Sequence, residues 1–284
     1  MISSPVVAPP TNISGNAKPI NISENSKSIY LPTFSPEHGV LLVLMGALLT
    51  GASLAQTWTW ETTLACVVAF LGLQAEHPLI VQLKRRRHWK PRYVLWASVY
   101  GGSALIIAAY LAYRHPVLLW VCGAAAIAMG IDMVAVLQRQ QKAIATEILM
   151  FSAICMATLF VYGTNTDTIT VQALGLWLLN SCFFASAVFT IKLRKARTSS
   201  LKGSFVFHSV AIALTTTLYL LGWLSLFTAL TLSVVLIKLV VVILFRDWYC
   251  NCHFGHIARF ETYFALTYTA LACLTVLPEY LPVA

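Results

Sequence analysis

The residues best placed to do chemistry are acids, imidazoles and amines lying inside or at the ends of long apolar runs. Glu76-His77 stands one to two turns before the basic run that begins at Lys84. Asp132 interrupts an apolar stretch, and Glu147 and Glu261 each open one. His208 lies near the start of another, Lys238 about two turns before Arg246, and Glu37-His38 just before the first run. An ionisable group within a nonpolar span costs several kcal/mol unless it is paired or hydrated, so each is a candidate functional group. A carboxylate beside an imidazole can move protons, and lysine or arginine can hold an anion through charge-assisted hydrogen bonds. On that chemistry Glu76, His77 and Asp132 are acid–base candidates, and Arg86, Lys192 and Arg194 are anion contacts. Glu37, His38, Glu147, His208, Lys238 and Glu261 would complete a shared polar cavity. Long side chains snorkel to the interface, which accounts for Arg139, Lys192 and Arg246; short carboxylates such as Glu76 and Asp132 cannot reach so far.

A second constellation is the segment DWYCNCHFGH at 247–256. Cys250, Cys252, His253 and His256 offer thiolate and imidazole donors of the kind that bind zinc or other soft metals. Their C-x-C-H-x-x-H spacing matches no common structural zinc pattern, so an interfacial loop of unrelated Cys and His is the competing reading. The other five cysteines sit singly in apolar spans, where a thiol acts as a small apolar group. No phosphate-binding loop, dinucleotide fingerprint or nucleophile elbow occurs. Any cofactor stays open.

The elements that must carry these groups are membrane helices. Of the 284 residues 58% are apolar and 10% charged, with a mean hydropathy of +0.76. A soluble domain cannot present a polar surface with so few charges. Residues 1–33, rich in Ser, Asn and Pro, read as a disordered tail, and 34–284 as one transmembrane domain. The tail carries a small duplication, NISGNAKPI followed by NISENSKSI, and no basic leader ahead of an apolar core, so no cleaved signal peptide is expected. Nine apolar spans follow, close to the roughly 18–20 residues that cross a bilayer. They lie near 39–55, 62–83, 93–113, 116–137, 147–163 and 171–192, then two within 205–245 divided near Gly222-Trp223, and a last near 260–277. The fourth contains Gly123, Ala124, Ala125, Ala126, Ala128 and Gly130, small residues that permit close backbone approach, and so is expected at the bundle centre with Asp132 facing protein.

Fifteen of the 19 Lys and Arg residues lie within or beside four alternate loops, whereas the intervening loops hold only Arg114. Basic residues mark the cytoplasmic side, which puts the N-terminus inside and, with nine crossings, the C-terminus outside. Orientation accounts for the net charge of +9 without a nucleic-acid partner. The candidate groups all then fall in the cytoplasmic half, and the outer half is expected to hold almost nothing ionisable.

Ser35-Pro36-Glu37-His38-Gly39 resembles the Glu/Gln-His-Gly motif that opens the first helix of the YwiC-like membrane proteins. His77-Pro78-Leu79 with the basic run and Arg92-Tyr93, Arg139 through Glu147, and Gly255 through Glu261 agree with it. The similarity spans roughly residues 34–277 and departs at Val40-Leu41, where the family has Ala-Trp, and at the Cys/His loop. It brings no activity. In topology the chain is similar to the UbiA-type intramembrane prenyltransferases, which hold Mg²⁺-diphosphate with aspartate-rich motifs after their second and sixth helices. The corresponding places here hold Glu76-His77 and Lys192-Leu193-Arg194-Lys195. One glutamate is too few for a Mg²⁺ ion bridging phosphates.

The expectation is an all-α polytopic membrane bundle, UbiA-like, that binds or modifies an isoprenoid or other anionic-headed lipid in a cytoplasm-facing cavity. Its partner is then membrane lipid. A small-molecule transporter and a non-catalytic membrane assembly factor are the alternatives.

Overall fold

The computed structural model describes residues 31–34, 38–85, 90–194 and 201–277, without the side chains of His38 and Arg85. Glu37 and Arg86, nearly all of the 1–33 tail and the His38 side chain therefore lie outside the described residues. Among those described, every regular element is helical. In chain order they are α1 (His38–Ala55), α2 (Trp60–Arg85), α3 (Pro91–Arg114), α4 (Leu118–Leu137), α5 (Ile144–Cys155), α6 (Ala157–Thr166), α7 (Val171–Lys192), α8 (Leu201–Leu220), α9 (Leu226–Leu230), α10 (Ser233–Leu244), α11 (Arg246–Asn251) and α12 (Phe254–Thr275).

Among the described residues, with α5 joined to α6 and α9 to α10, seven helices are long and apolar enough to cross a membrane. α1 is apolar but shorter, and α12 is less apolar because His256, Arg259 and Glu261 occupy its first turns. The fifth span breaks at Met156. There the Trp177 indole donates to the Ser152 carbonyl at 2.9 Å, competing with the Met156 amide at 3.2 Å for that acceptor. The long apolar stretch divides where expected, because Gly222 takes a positive φ of 73° and the Trp223 amide turns back to the Leu218 carbonyl at 2.9 Å. This is the turn with which glycine ends helices.

The centre of the bundle is α1 and α7, not α4. Of the most apolar 18-residue stretch of α7, 61% is buried, against 28% for α4. Gly123 and Gly130 of α4 face open space, and Trp120, Ile127 and Ile131 are exposed on the same helix. The close approach made possible by small residues occurs instead at Gly51 of α1, where a Cβ would come within 2.5 Å of the Thr158 carbonyl oxygen on α6. Polar glue reinforces it. The fully buried Asn180 of α7 donates to Thr50 of α1 at 2.8 Å and to Thr158 of α6 at 2.9 Å, and accepts from Tyr268 of α12 at 2.7 Å. With no water in the hydrocarbon core, such side chains satisfy one another across helices.

Candidate functional site

Three helices ending and one beginning at one end of the bundle bring charged groups around a cavity of about 460 Å³. The C-terminal part of α2 supplies Glu76, His77 and Lys84, α4 supplies Asp132, α5 supplies Glu147 and the end of α7 supplies Lys192; Lys142 joins from the α4–α5 turn. Pro78, with no amide hydrogen, interrupts the backbone ladder of α2 beside Glu76-His77. Lys192 pairs with Glu147 at 2.5 Å and also donates to the Lys142 carbonyl at 3.2 Å. Asp132 is buried although its helix is peripheral, and the Lys84 ammonium acts on it electrostatically. All three acid–base candidates and one anion contact thus meet in one cavity of mixed sign.

Glu76 also lines two apolar spaces running away from that cavity. One is a cleft of about 990 Å³ between α2, α3 and α4, walled by Gly72, Ala75, Gly101, Gly102 and Met129. The other, of about 320 Å³, shares Gly72, Leu105 and Met129 with it and reaches toward α5 and α6. The glycines leave room: a Cβ at Gly72 or Gly102 would meet nothing within 4 Å. Polar cavity and apolar cleft meet at one carboxylate.

The remaining candidates lie elsewhere. Lys238, Glu261 and His208 do not line the cavity but form a buried assembly on the far side of α7. Lys238 of α10 donates to Glu261 of α12 at 3.1 Å and to Ser186 of α7 at 2.9 Å. Glu261 also accepts from Thr190 at 2.9 Å and from the Tyr249 hydroxyl at 3.0 Å. Burial, then the adjacent Glu261 charge, pushes the Tyr249 phenol well above its ordinary range, so it stays a donor. His208 is held by the Ser204 carbonyl, 2.6 Å from its Nδ1, within electrostatic reach of Lys238. The single shared cavity is thus two sites at one end of the bundle. Depth along the helices brought these residues to one level, but their azimuth separates them.

Arg194 faces neither: it donates to the Cys252 carbonyl at 2.7 Å and lies over the Phe254 ring. Nor do Cys250, Cys252, His253 and His256 converge. Cys250 points to the Leu193 carbonyl and Cys252 to that of Tyr249. His253 caps α12 by accepting from the Gly255 amide, and His256 accepts from Arg259 at 2.9 Å. Among the described residues no group of three or more His, Cys, Asp or Glu side chains is arranged to hold a metal ion.

Sequence reasoning missed one cluster altogether. At the opposite end of α2, His115 sits between Glu61 and Asp167, with Arg114 at 3.4 Å from Glu61. Counting only Lys and Arg by loop hides it, because its two carboxylates and imidazole leave no basic excess.

The architecture is that of a polytopic helical protein of membrane type. Residues 34–162, which run from the approach to α1 through most of α6, match the family model of the YwiC-like proteins. This segment carries the opening motif, the His77-Pro78-Leu79 stretch and Arg139 through Glu147; Gly255 through Glu261 falls beyond it. No curated protein and no solved structure matches the chain.

Proposed function

We propose that the chain is a nine-crossing membrane protein, N-terminus cytoplasmic and C-terminus outside, that binds one lipid with an anionic head. The head occupies the polar cavity and the chain occupies the apolar cleft. The observation that carries this reading is Glu76, which lines both spaces and so lies where head and tail of one molecule would join. Leu105 lines the cleft and is exposed, and in this reading that is the side from which a ligand enters from the bilayer.

Moving a hydrocarbon chain from lipid tails into an apolar cleft gains little, because both surroundings are nonpolar. Selectivity then rests on the head. Lys142 and Lys192 supply ammonium donors for phosphate or carboxylate oxygens, and binding an anion there competes with Glu147 for Lys192. Glu76, His77 and Asp132 stand beside that position as acid–base groups. In this reading the bundle is UbiA-like in placing polar groups after its second and sixth spans, and differs in using ammonium groups where those enzymes use Mg²⁺. An isoprenoid chain and an acyl chain both satisfy the cleft.

The test is thermal stability of the purified full chain in detergent with added dodecyl phosphate. A ligand at about 100 times its Kd stabilises by about 2.7 kcal/mol. Dodecyl phosphate should raise the Tm, while dodecyl maltoside and inorganic phosphate alone should not. Lys192→Gln should reduce the effect. Equal shifts from the uncharged amphiphile, or none from dodecyl phosphate, would refute lipid-head recognition.

A further inference from the structure

The end of the bundle remote from the polar cavity carries an arrangement that lipid binding does not use. His115 follows the last residue of α3, its amide closing that helix on the Leu111 carbonyl at 2.8 Å. It is 8% exposed, and each ring nitrogen faces a carboxylate. Nε2 is 2.7 Å from Glu61 in the first turn of α2, and Nδ1 contacts Asp167, which ends α6. Glu61 and Glu76 are fifteen residues apart on one helix, so this cluster lies about 22 Å along α2 from the cavity.

A neutral imidazole has one N–H and one lone pair. Two ring nitrogens facing two carboxylates therefore call for an additional proton, on the imidazole or on a carboxyl. With His115 protonated, both nitrogens donate, and the imidazolium and Arg114 balance Glu61 and Asp167. Without that proton a lone pair faces a carboxylate oxygen and the cluster is net negative. Among the described residues Glu61, Asp167 and, through Glu61, Arg114 are the charged groups facing His115. The α3–α4 turn after His115 and the start of α4, Pro116-Val117-Leu118-Leu119, bring none.

The two arms are unequal. Glu61 keeps Arg114 when His115 lets go, and the neighbouring Thr62 and Thr59 are tied to Asn165 at 2.7 and 3.2 Å. Asp167 is 67% exposed at its side chain, has His115 as its one side-chain partner among the described residues, and holds a left-handed backbone with φ of 57°. We propose that Glu61, His115 and Asp167 form a proton-dependent clasp that pins the α6–α7 turn to the α3–α4 turn and releases the Asp167 arm on deprotonation. Burial works against the imidazolium, but the hydrogen bonds and charges of Asp167 and Glu61 outweigh it and raise the His115 pKa. The stabilisation is thus complete below the ordinary histidine value, near 6.5, and disappears as pH rises through the raised one. On release the proton leaves Nδ1 for solvent water.

Hydrogen–deuterium exchange of the full chain in detergent, corrected for intrinsic pH dependence, tests this at the 163–171 segment. Wild-type protection should fall severalfold as pH rises from about 6 to about 9, the direction set by loss of the imidazolium. In His115→Gln the corrected protection should not change with pH. Asp167→Asn, at an exposed position, serves as the second variant and should also be flat. A flat wild-type profile would overturn the clasp, as would a fall that survives in either variant.

Discussion

Replacing Lys238 with methionine removes one charge from a buried pair and should destabilise the bundle by about 3 kcal/mol, within the range for breaking such pairs. The magnitude follows from the surroundings. The Lys238 side chain is 2% exposed and that of Glu261 16%, so neither is well placed to exchange its partner for water. At 3.1 Å their attraction in an effective dielectric of about 20 is about 5 kcal/mol, most of which offsets the cost of desolvating both groups. Lys238→Met leaves Glu261 its hydrogen bonds from Thr190 and Tyr249 on one oxygen, with the other deprived of its cation. Thermal unfolding in detergent should show a Tm lower by about 6–12 °C for a loss of that size. The double variant Lys238→Met/Glu261→Gln keeps an amide that can still accept from Thr190 and Tyr249. It should recover to within about 1 kcal/mol of wild type, since buried pairs are replaceable when both partners go. If Lys238→Met changes stability by less than about 0.5 kcal/mol, or if the double variant loses the sum of the two single losses, the two charges are not coupled as a buried pair.

Gly51→Ala would drive a methyl group to 2.5 Å from a backbone carbonyl oxygen, which no rotamer relieves. It should cost about 3 kcal/mol, measured by the same thermal assay, whereas Gly123→Ala, in open space, should stabilise its helix by about 1 kcal/mol. A tag fused after Ala284 should be reachable only from outside the cell and one before Met1 only from the cytosol; accessibility labelling of intact and permeabilised cells decides it.

Much of the fold was legible because membrane helices announce themselves by continuous apolarity and end where turn chemistry permits. The first four spans and the sixth lie within a few residues of α1–α4 and α7, and the Gly222 break stands where its positive φ requires it. What depth and composition cannot supply is azimuth. The glycines and alanines of α4 have the composition of a packing face but turn to open space, while single glycines in α1 make the close contacts. Asp132 and Lys238 were expected around one chamber because both lie near helix ends. They fall on opposite sides of α7, which only packing decides. The Cys/His loop shows the same limit, since four ligand types within seven residues each turn to a nearby backbone or side-chain group. The His115 cluster joins residues 54 and 52 positions apart, beyond any local motif.

The junction of polar cavity and apolar cleft at Glu76 is the centre of the account, and Gly72→Leu probes it most directly. That position lines the cleft with room for a side chain, and leucine favours the helix over glycine by roughly 1 kcal/mol. Quantitative lipid analysis of the purified proteins should find an anionic lipid retained by wild type and lost from a Gly72→Leu variant of undiminished Tm. Equal retention by the two would contradict the cleft as the seat of the lipid chain.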